Sequence, residues 1–179
     1  MVYNPNEHGL SDEDKAFRIG KFGGSTATGI AKGGDDALDA VMIAAGKKDF
    51  PDLSRVLPVQ MGLATEDFHL YWIEHTTKFK PVDPQKVFVH PQYGWMMLTS
   101  DATDQDSGCQ IECKHVNAFT TWEEQVEKYY AQLHHSMMVT GNDRVLFSVL
   151  LGNLKHEIDF VPFDHDYATW LFAEEKKWH

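Results

Sequence analysis

The sequence predicts an α/β fold: a central mixed β-sheet flanked by α-helices. Three observations carry that prediction. Arg144 to Leu151 is a nearly continuous apolar run (Val145, Leu146, Phe147, Val149, Leu150), the pattern of a strand covered on both faces. Shorter strand-like stretches lie around it at 86–90, 95–100, 108–116 and 156–160. Helical stripes come before, between and after these strands, which places helices against a sheet.

Bulk composition narrows the class. The chain has 179 residues, 42% of them hydrophobic and 12% aromatic, enough for the core of one domain spanning 1–179. No apolar run approaches the ~20 residues of a membrane span. Met1 to Asp14 is polar and acidic, without the basic start and apolar stretch of a signal peptide. Cys109 and Cys113 lie four apart on one predicted strand, where a disulfide would demand distortion. They read as reduced thiols in a cytoplasmic protein. With 27 acidic against 16 basic residues the net charge is −11, which argues against broad nonspecific nucleic-acid binding.

Residues 1–10 read as a loose arm. Ser11 caps a short helix carrying Phe17 and Arg18. Gly23-Gly24-Ser25-Thr26 then turns into a helix N-terminus, whose free N–H groups and hydroxyls suit an anion, with Arg18 and Lys21 close by. The same residues would serve a plain capped turn. Asp36 to Lys48 is a helix with Leu38, Val41, Met42 and Ala45 on one stripe. After Pro51 and Pro58, a longer helix covers Val59 to Thr77. Its core stripe is read as Met61, Ala64, Phe68, Tyr71, Trp72 and His75.

Lys78 to Gln85 is a loop. Lys86 to His90 and Trp95 to Ser100 are strands joined by a turn at Pro91 and Gly94, to which His90 belongs. Asp101 to Gly108 is a polar turn, and Gly108 to Val116 is the next strand. Thr121 and Glu124 form a capping box for a helix running to about Thr140, with Val126, Tyr129 or Tyr130, Leu133 and Met137 as its stripe. Gln132 lies beside that stripe. After the apolar strand and Gly152-Asn153, His156 to Phe160 alternates as a last strand, and Asp164 caps a final helix.

The chemistry-bearing stretch is Asp101 with Glu112-x-Lys114. On a strand, Gln110, Glu112 and Lys114 share one face while Ile111 and Cys113 point the other way, into the core. A hairpin from Leu98 to His115 brings Asp101 beside Glu112. Two carboxylates and an ammonium suit a divalent metal and an anionic substrate. An ordinary hairpin with a solvated Glu/Lys face explains these residues equally well. Cys113 reads as an apolar packer, not a nucleophile. His134 and His135 diverge on their helix and are assigned surface or supporting roles, and Trp122, Trp170 and Trp178 are assigned to packing.

In order, the chain holds R-x-x-x-x-G-G-S from Arg18, M-G-L-A-T-E ending at Glu66, H-P-x-Y-x-W then T-S-D, I-E-C-K, and Y-Y-A-Q-L-H-H-S-M-M-V-T-G. This series resembles the lambda-exonuclease (YqaJ-type viral recombinase) family of the PD-(D/E)-x-K nuclease superfamily, from about Arg18 to Val161. The family's P-D-G stands here as Ser100-Asp101-Ala102, and no arginine follows Lys114 before Thr121, where the family carries a phosphate-binding one.

The resemblance implies a restriction-endonuclease-like core. It also implies a metal-dependent enzyme that degrades one strand of linear duplex DNA from a 5′ end and leaves a 3′ overhang. Asp101, Glu112 and the Cys113 backbone carbonyl would bind Mg²⁺ or Mn²⁺. Glu66 would bind a second ion, Lys114 would activate water and stabilise charge, and Gln132 would position them. Arg18, Ser25 and Thr99 would grip the 5′-phosphate. Implied partners are double-stranded DNA ends, a single-strand annealing protein and, as in lambda exonuclease, a homotrimer, in the cytoplasm of the host if the protein is phage-encoded. An endonuclease of the same superfamily and a nonhydrolytic DNA-end-binding scaffold are the alternatives.

Overall fold

The computed structural model describes residues 11–179, so the arm read at 1–10 lies outside the described residues. Helices α1 (Asp12–Arg18), α2 (Gly24–Lys32), α3 (Gly34–Ala44) and α4 (Leu57–Thr76) come first. Strands β1 (Pro81–Val82), β2 (Lys86–Val89), β3 (Met97–Ser100), β4 (Ala102–Asp104) and β5 (Gln110–Val116) follow. Then come α5 (Trp122–Thr140), β6 (Arg144–Leu151), β7 (Lys155–Pro162) and α6 (His165–Trp178). Among the described residues no helix is long and apolar enough to cross a membrane.

Five strands form a mixed sheet in the order β1-β4-β5-β6-β7, with β5 and β6 parallel and the other pairs antiparallel. The parallel pair needs a crossover, and α5 supplies it. Its start is fixed by the predicted capping box, Thr121 accepting from the Glu124 N–H while Glu124 caps the Thr121 N–H.

Along β6 the side chains alternate. Val145, Phe147, Val149 and Leu151 pack with Leu133 and Met137 of α5. Leu146 packs with Ile73 of α4 on the opposite face, together with Ala102 and Ile111. The strand predicted to be covered on both faces is covered on both.

Four expectations are corrected. β2 and β3 do not join the central sheet; they pair with each other in a separate two-stranded sheet. The predicted hairpin from Leu98 to His115 is therefore split. The chain leaves one sheet at Ser100 and enters the other at Ala102, so that Asp101 is the joint. The loop 78–85 and the polar turn 101–108 each hide a short strand, β1 and β4, which pair with each other. On α4 the expected core stripe is mis-phased: Met61, Phe68 and Tyr71 are exposed, and the buried residues are His69 and Ile73. His134 and His135 are fully buried rather than at the surface. The His134 Nε2 accepts the Asp164 N–H at 3.0 Å, linking α5 to the start of α6.

Candidate active site

The break between the sheets creates the site. Because Ala102 pairs with Ile111, the preceding Asp101 comes level with Glu112 and Cys113 on β5. Asp101 Oδ2 accepts the Cys113 backbone N–H at 2.7 Å. Glu112 faces α5, where its Oε1 accepts from both Gln132 Nε2, at 2.5 Å, and Lys114 Nζ. The Glu112 side chain is only 5% exposed and that of Lys114 21%. This rules out the ordinary hairpin with a solvated face: a buried carboxylate between an amide and an ammonium is a built arrangement.

Glu66 comes from α4 and lines the same cleft as Asp101, Cys113, Lys114 and Tyr129, a cavity of about 790 Å³. Three of the five expected catalytic residues, Glu66, Asp101 and Lys114, therefore line one cleft; Glu112 meets it through Lys114, and Gln132 through Glu112. The Lys114 ammonium also sits 4.9 Å from the centre of the Tyr129 ring.

The expected phosphate grip forms a second, smaller depression of about 300 Å³ lined by Arg18, Lys21, Ser25 and Thr26, among others. Arg18 Nη2 donates to Thr99 Oγ1 at 2.6 Å. Thr99 precedes Asp101 by two residues, so the grip and the cleft stand about 7 Å apart along the chain. They also meet at Gly24, the first residue of α2. A Cβ there would fall 2.5 Å from Gln132 Cγ. Gly24→Ala should therefore push Gln132 off Glu112. The expected result is activity about tenfold lower, with unfolding free energy lowered by about 1 kcal/mol, read from initial rates and denaturant titration. Unchanged rates would mean that the Gln132 contact is dispensable.

Residues 15–143 match the family model of the YqaJ-like viral recombinase domain. The chain belongs to that family. No curated protein matches it in sequence. Its fold is that of the alkaline exonuclease LHK-Exo from Laribacter hongkongensis, at TM-score 0.71 and 17% identity over 94% of this chain and 90% of that one. The complex of LHK-Exo with dAMP gives TM-score 0.73 at the same identity and coverage. A phage-related exonuclease from Haemophilus somnus 129PT gives 0.59 at 12% identity, over 88% and 92%.

Electrostatics in the YqaJ-like domain favour a bound cation. Burial, then the neighbouring Glu112, pushes the Asp101 carboxyl up to about 8. Burial also raises Glu66, against the hydrogen bond from Gln85. The crowded acids are hard oxygen donors of the kind Mg²⁺ and Mn²⁺ take, and a divalent ion would relieve their repulsion. As they stand, no three His, Cys, Asp or Glu side chains among the described residues close on one point. Glu66 is turned to Gln85, and Glu112 to Lys114 and Gln132. Mg²⁺ keeps several waters and needs only one or two carboxylates, so the donor set fits.

Gln85 was not foreseen. It sits at φ 57°, a left-handed conformation rare outside glycine. Its backbone N–H donates to the Asp101 carbonyl and its side chain to Glu66. A glutamine in a proline-flanked loop carries no sequence signal for this. Burial pushes the Cys113 thiol up, which suits the packing role read for it.

Proposed function

We propose that this YqaJ-like domain, residues 1–179, is a metal-dependent exonuclease. It would remove nucleotides from the 5′ ends of linear double-stranded DNA, leaving 3′ overhangs for recombination by strand annealing in the cytoplasm. One observation carries the reading: Glu66, Asp101 and Lys114 line one cleft, and the Lys114 ammonium is held there by the buried Glu112, which Gln132 also binds.

Asp101, Glu112 and the Cys113 carbonyl would hold one Mg²⁺ or Mn²⁺, and Glu66 a second. When bound, the ions supply a hydroxide nucleophile and neutralise the scissile phosphate. The protein's own part is positioning. Burial opposes the charge on Lys114, but Glu112 and Asp101 outweigh it and hold its pKa above the ordinary value. Lys114 is thus a fixed cation that orients the attacking water and stabilises charge on the phosphate. Gln132 steadies the Glu112 carboxylate, which binds Lys114 and would also hold the metal. Arg18, Ser25 and Thr99 would seat the 5′-phosphate, one end of the strand lying in the smaller depression and the next linkage in the cleft. An annealing protein and two further copies of the chain are the proposed partners.

The test is linear duplex DNA, with and without 5′-phosphate, incubated with Mg²⁺ or with EDTA. Nucleotide release from 5′ ends with Mg²⁺ and none with EDTA is expected. Arg18→Ala should reduce the preference for phosphorylated ends about tenfold. Cutting of closed circular DNA would replace this reading with an endonuclease, and binding without cutting with a scaffold. An unaltered preference in Arg18→Ala would move the phosphate grip elsewhere.

A further inference from the structure

We propose that His69 is a positioning residue for the metal centre, acting through Ser148 and His156 to hold Glu66 in place over the sheet. The inference rests on the nuclease reading above and concerns how its α4 acid is held.

The Glu66 carboxylate accepts only from Gln85 among the described residues. Where it stands therefore depends on how α4 is fastened to the sheet. Beside the apolar packing of Ile73, two polar links among the described residues do this, and they bracket Glu66. On one side Thr65 Oγ1 lies 3.0 Å from His115 Nδ1 on β5. On the other, one helical turn beyond Glu66, His69 Nε2 lies 2.9 Å from Ser148 Oγ on β6. Residues three apart on a helix share a face, so the link and the carboxylate approach the sheet from the same side. Ser148 is the ladder partner of Cys113, and the preceding pair is Glu112 with Phe147. The link thus enters the sheet one step from the strand position that carries Glu112.

Ser148 does not end the chain of contacts. Its Oγ also lies 2.8 Å from His156 Nε2 on β7. A hydroxyl has one proton, so Ser148 donates to one ring and accepts from the other. One imidazole then carries its proton on Nε2 and the other on Nδ1. His69 and Ser148 are buried, so this bond is costly to break and defines one distance between α4 and the sheet. Burial, then His156, holds the His69 pKa down at about 3, and burial lowers His156 as well. The link is uncharged and adds no positive charge beside acids that bind cations. One turn farther along α4, Ile73 packs against Leu146, Ala102 and Ile111 and sets which face of the helix meets the sheet; the His69–Ser148 bond adds a fixed distance nearer Glu66.

The test measures Mn²⁺ binding directly, by electron paramagnetic resonance titration, beside the Mg²⁺ dependence of DNA cleavage. Ser148→Ala and His69→Leu should weaken Mn²⁺ binding and raise the half-saturating Mg²⁺ about tenfold, with KM for DNA ends changed less than about twofold. His69→Gln, which returns an amide N–H to Ser148, should recover most of the loss. A packing role alone would lower the melting temperature and leave metal dependence as it was. Ser148→Ala removes a single oxygen, so it keeps the test open should His69→Leu fail to fold. Wild-type Mn²⁺ affinity in folded Ser148→Ala overturns the positioning role while the nuclease reading stands. A wild-type protein that binds no Mn²⁺ and cuts no DNA overturns both.

Discussion

Lys114→Ala should lower the rate of nucleotide release by about 10³-fold or more while leaving a folded protein. The size follows from what the ammonium touches. Lys114 is held by Glu112, lies over the Tyr129 ring and lines the cleft beside Asp101 and Glu66. On the proposed mechanism it is a cation fixed where negative charge grows during phosphodiester cleavage. Lys128, which also lines the cleft, lies 5.0 Å from the centre of the same ring, but among the described residues Lys114 alone is ion-paired to Glu112. Removal also changes Glu112, which would keep Gln132 but lose its only ionic partner among the described residues. A drop of a few degrees in melting temperature is expected from that loss, on the order of 1–2 kcal/mol for a group still partly open to the cleft. Lys114→Arg should not restore the rate, because a planar guanidinium cannot take the compact site of an ammonium. Initial rates on linear duplex DNA, with circular dichroism to confirm the fold, decide the matter. A Lys114→Ala variant that retains the wild-type rate would remove the centre from this cleft.

Much of the site is legible because its parts are local. Glu112 and Lys114 share a strand face by alternation alone, and the capping box at Thr121 fixes the register of the helix that carries Gln132. The linear order of motifs then brings in Glu66 and Arg18. What sequence could not supply is the phase of α4 and the break in the sheet. α4 carries Met61, Phe68, Tyr71, Leu70 and Ile73 around its circumference, so no apolar stripe dominates and the inward face is set by tertiary packing. The error in phase hid His69. The strand switch at Asp101 is equally silent: Ser100-Asp101-Ala102 reads as a strand end, and only pairing partners far along the chain divide it between two sheets. The net charge of −11 pointed away from nucleic acid. In the structure, part of that acidity is gathered in one place: Glu66 and Asp101 line the cleft, and burial, with the nearby Glu112 adding to it, pushes both their carboxyl pKa values up, a crowding that divalent cations would relieve.

The largest expected effect on stability comes from a pair outside the cleft. His135 Nδ1 lies 2.8 Å from Glu175 Oε1, both side chains being fully buried. His135 Nε2 donates to the Met97 carbonyl at 3.0 Å. One imidazole therefore joins α5, α6 and β3, the strand that carries Thr99 and leads to Asp101. Glu175→Ala should cost about 3–5 kcal/mol, because it leaves a buried imidazolium without its counter-ion. In a chain of this size that lowers the melting temperature by about 10 °C. Glu175→Gln should cost less, since an amide oxygen can still accept from Nδ1.

The pH dependence follows from His135. Burial works to lower its pKa, but Glu175 and the Met97 carbonyl outweigh burial and leave it above 6.5. A pKa raised by folding contributes stability that is complete below the unfolded value, near 6.5, and is lost as pH rises through the folded one. The stability gap between wild type and Glu175→Ala should thus be widest near pH 6 and narrow toward alkaline pH, measured by denaturant titration across that range. A gap that stayed constant or widened would mean that the imidazole is neutral in the fold. The contact with Glu175 would then be a plain hydrogen bond, and the expected cost of Glu175→Ala would fall to the roughly 1–3 kcal/mol of one unsatisfied buried group.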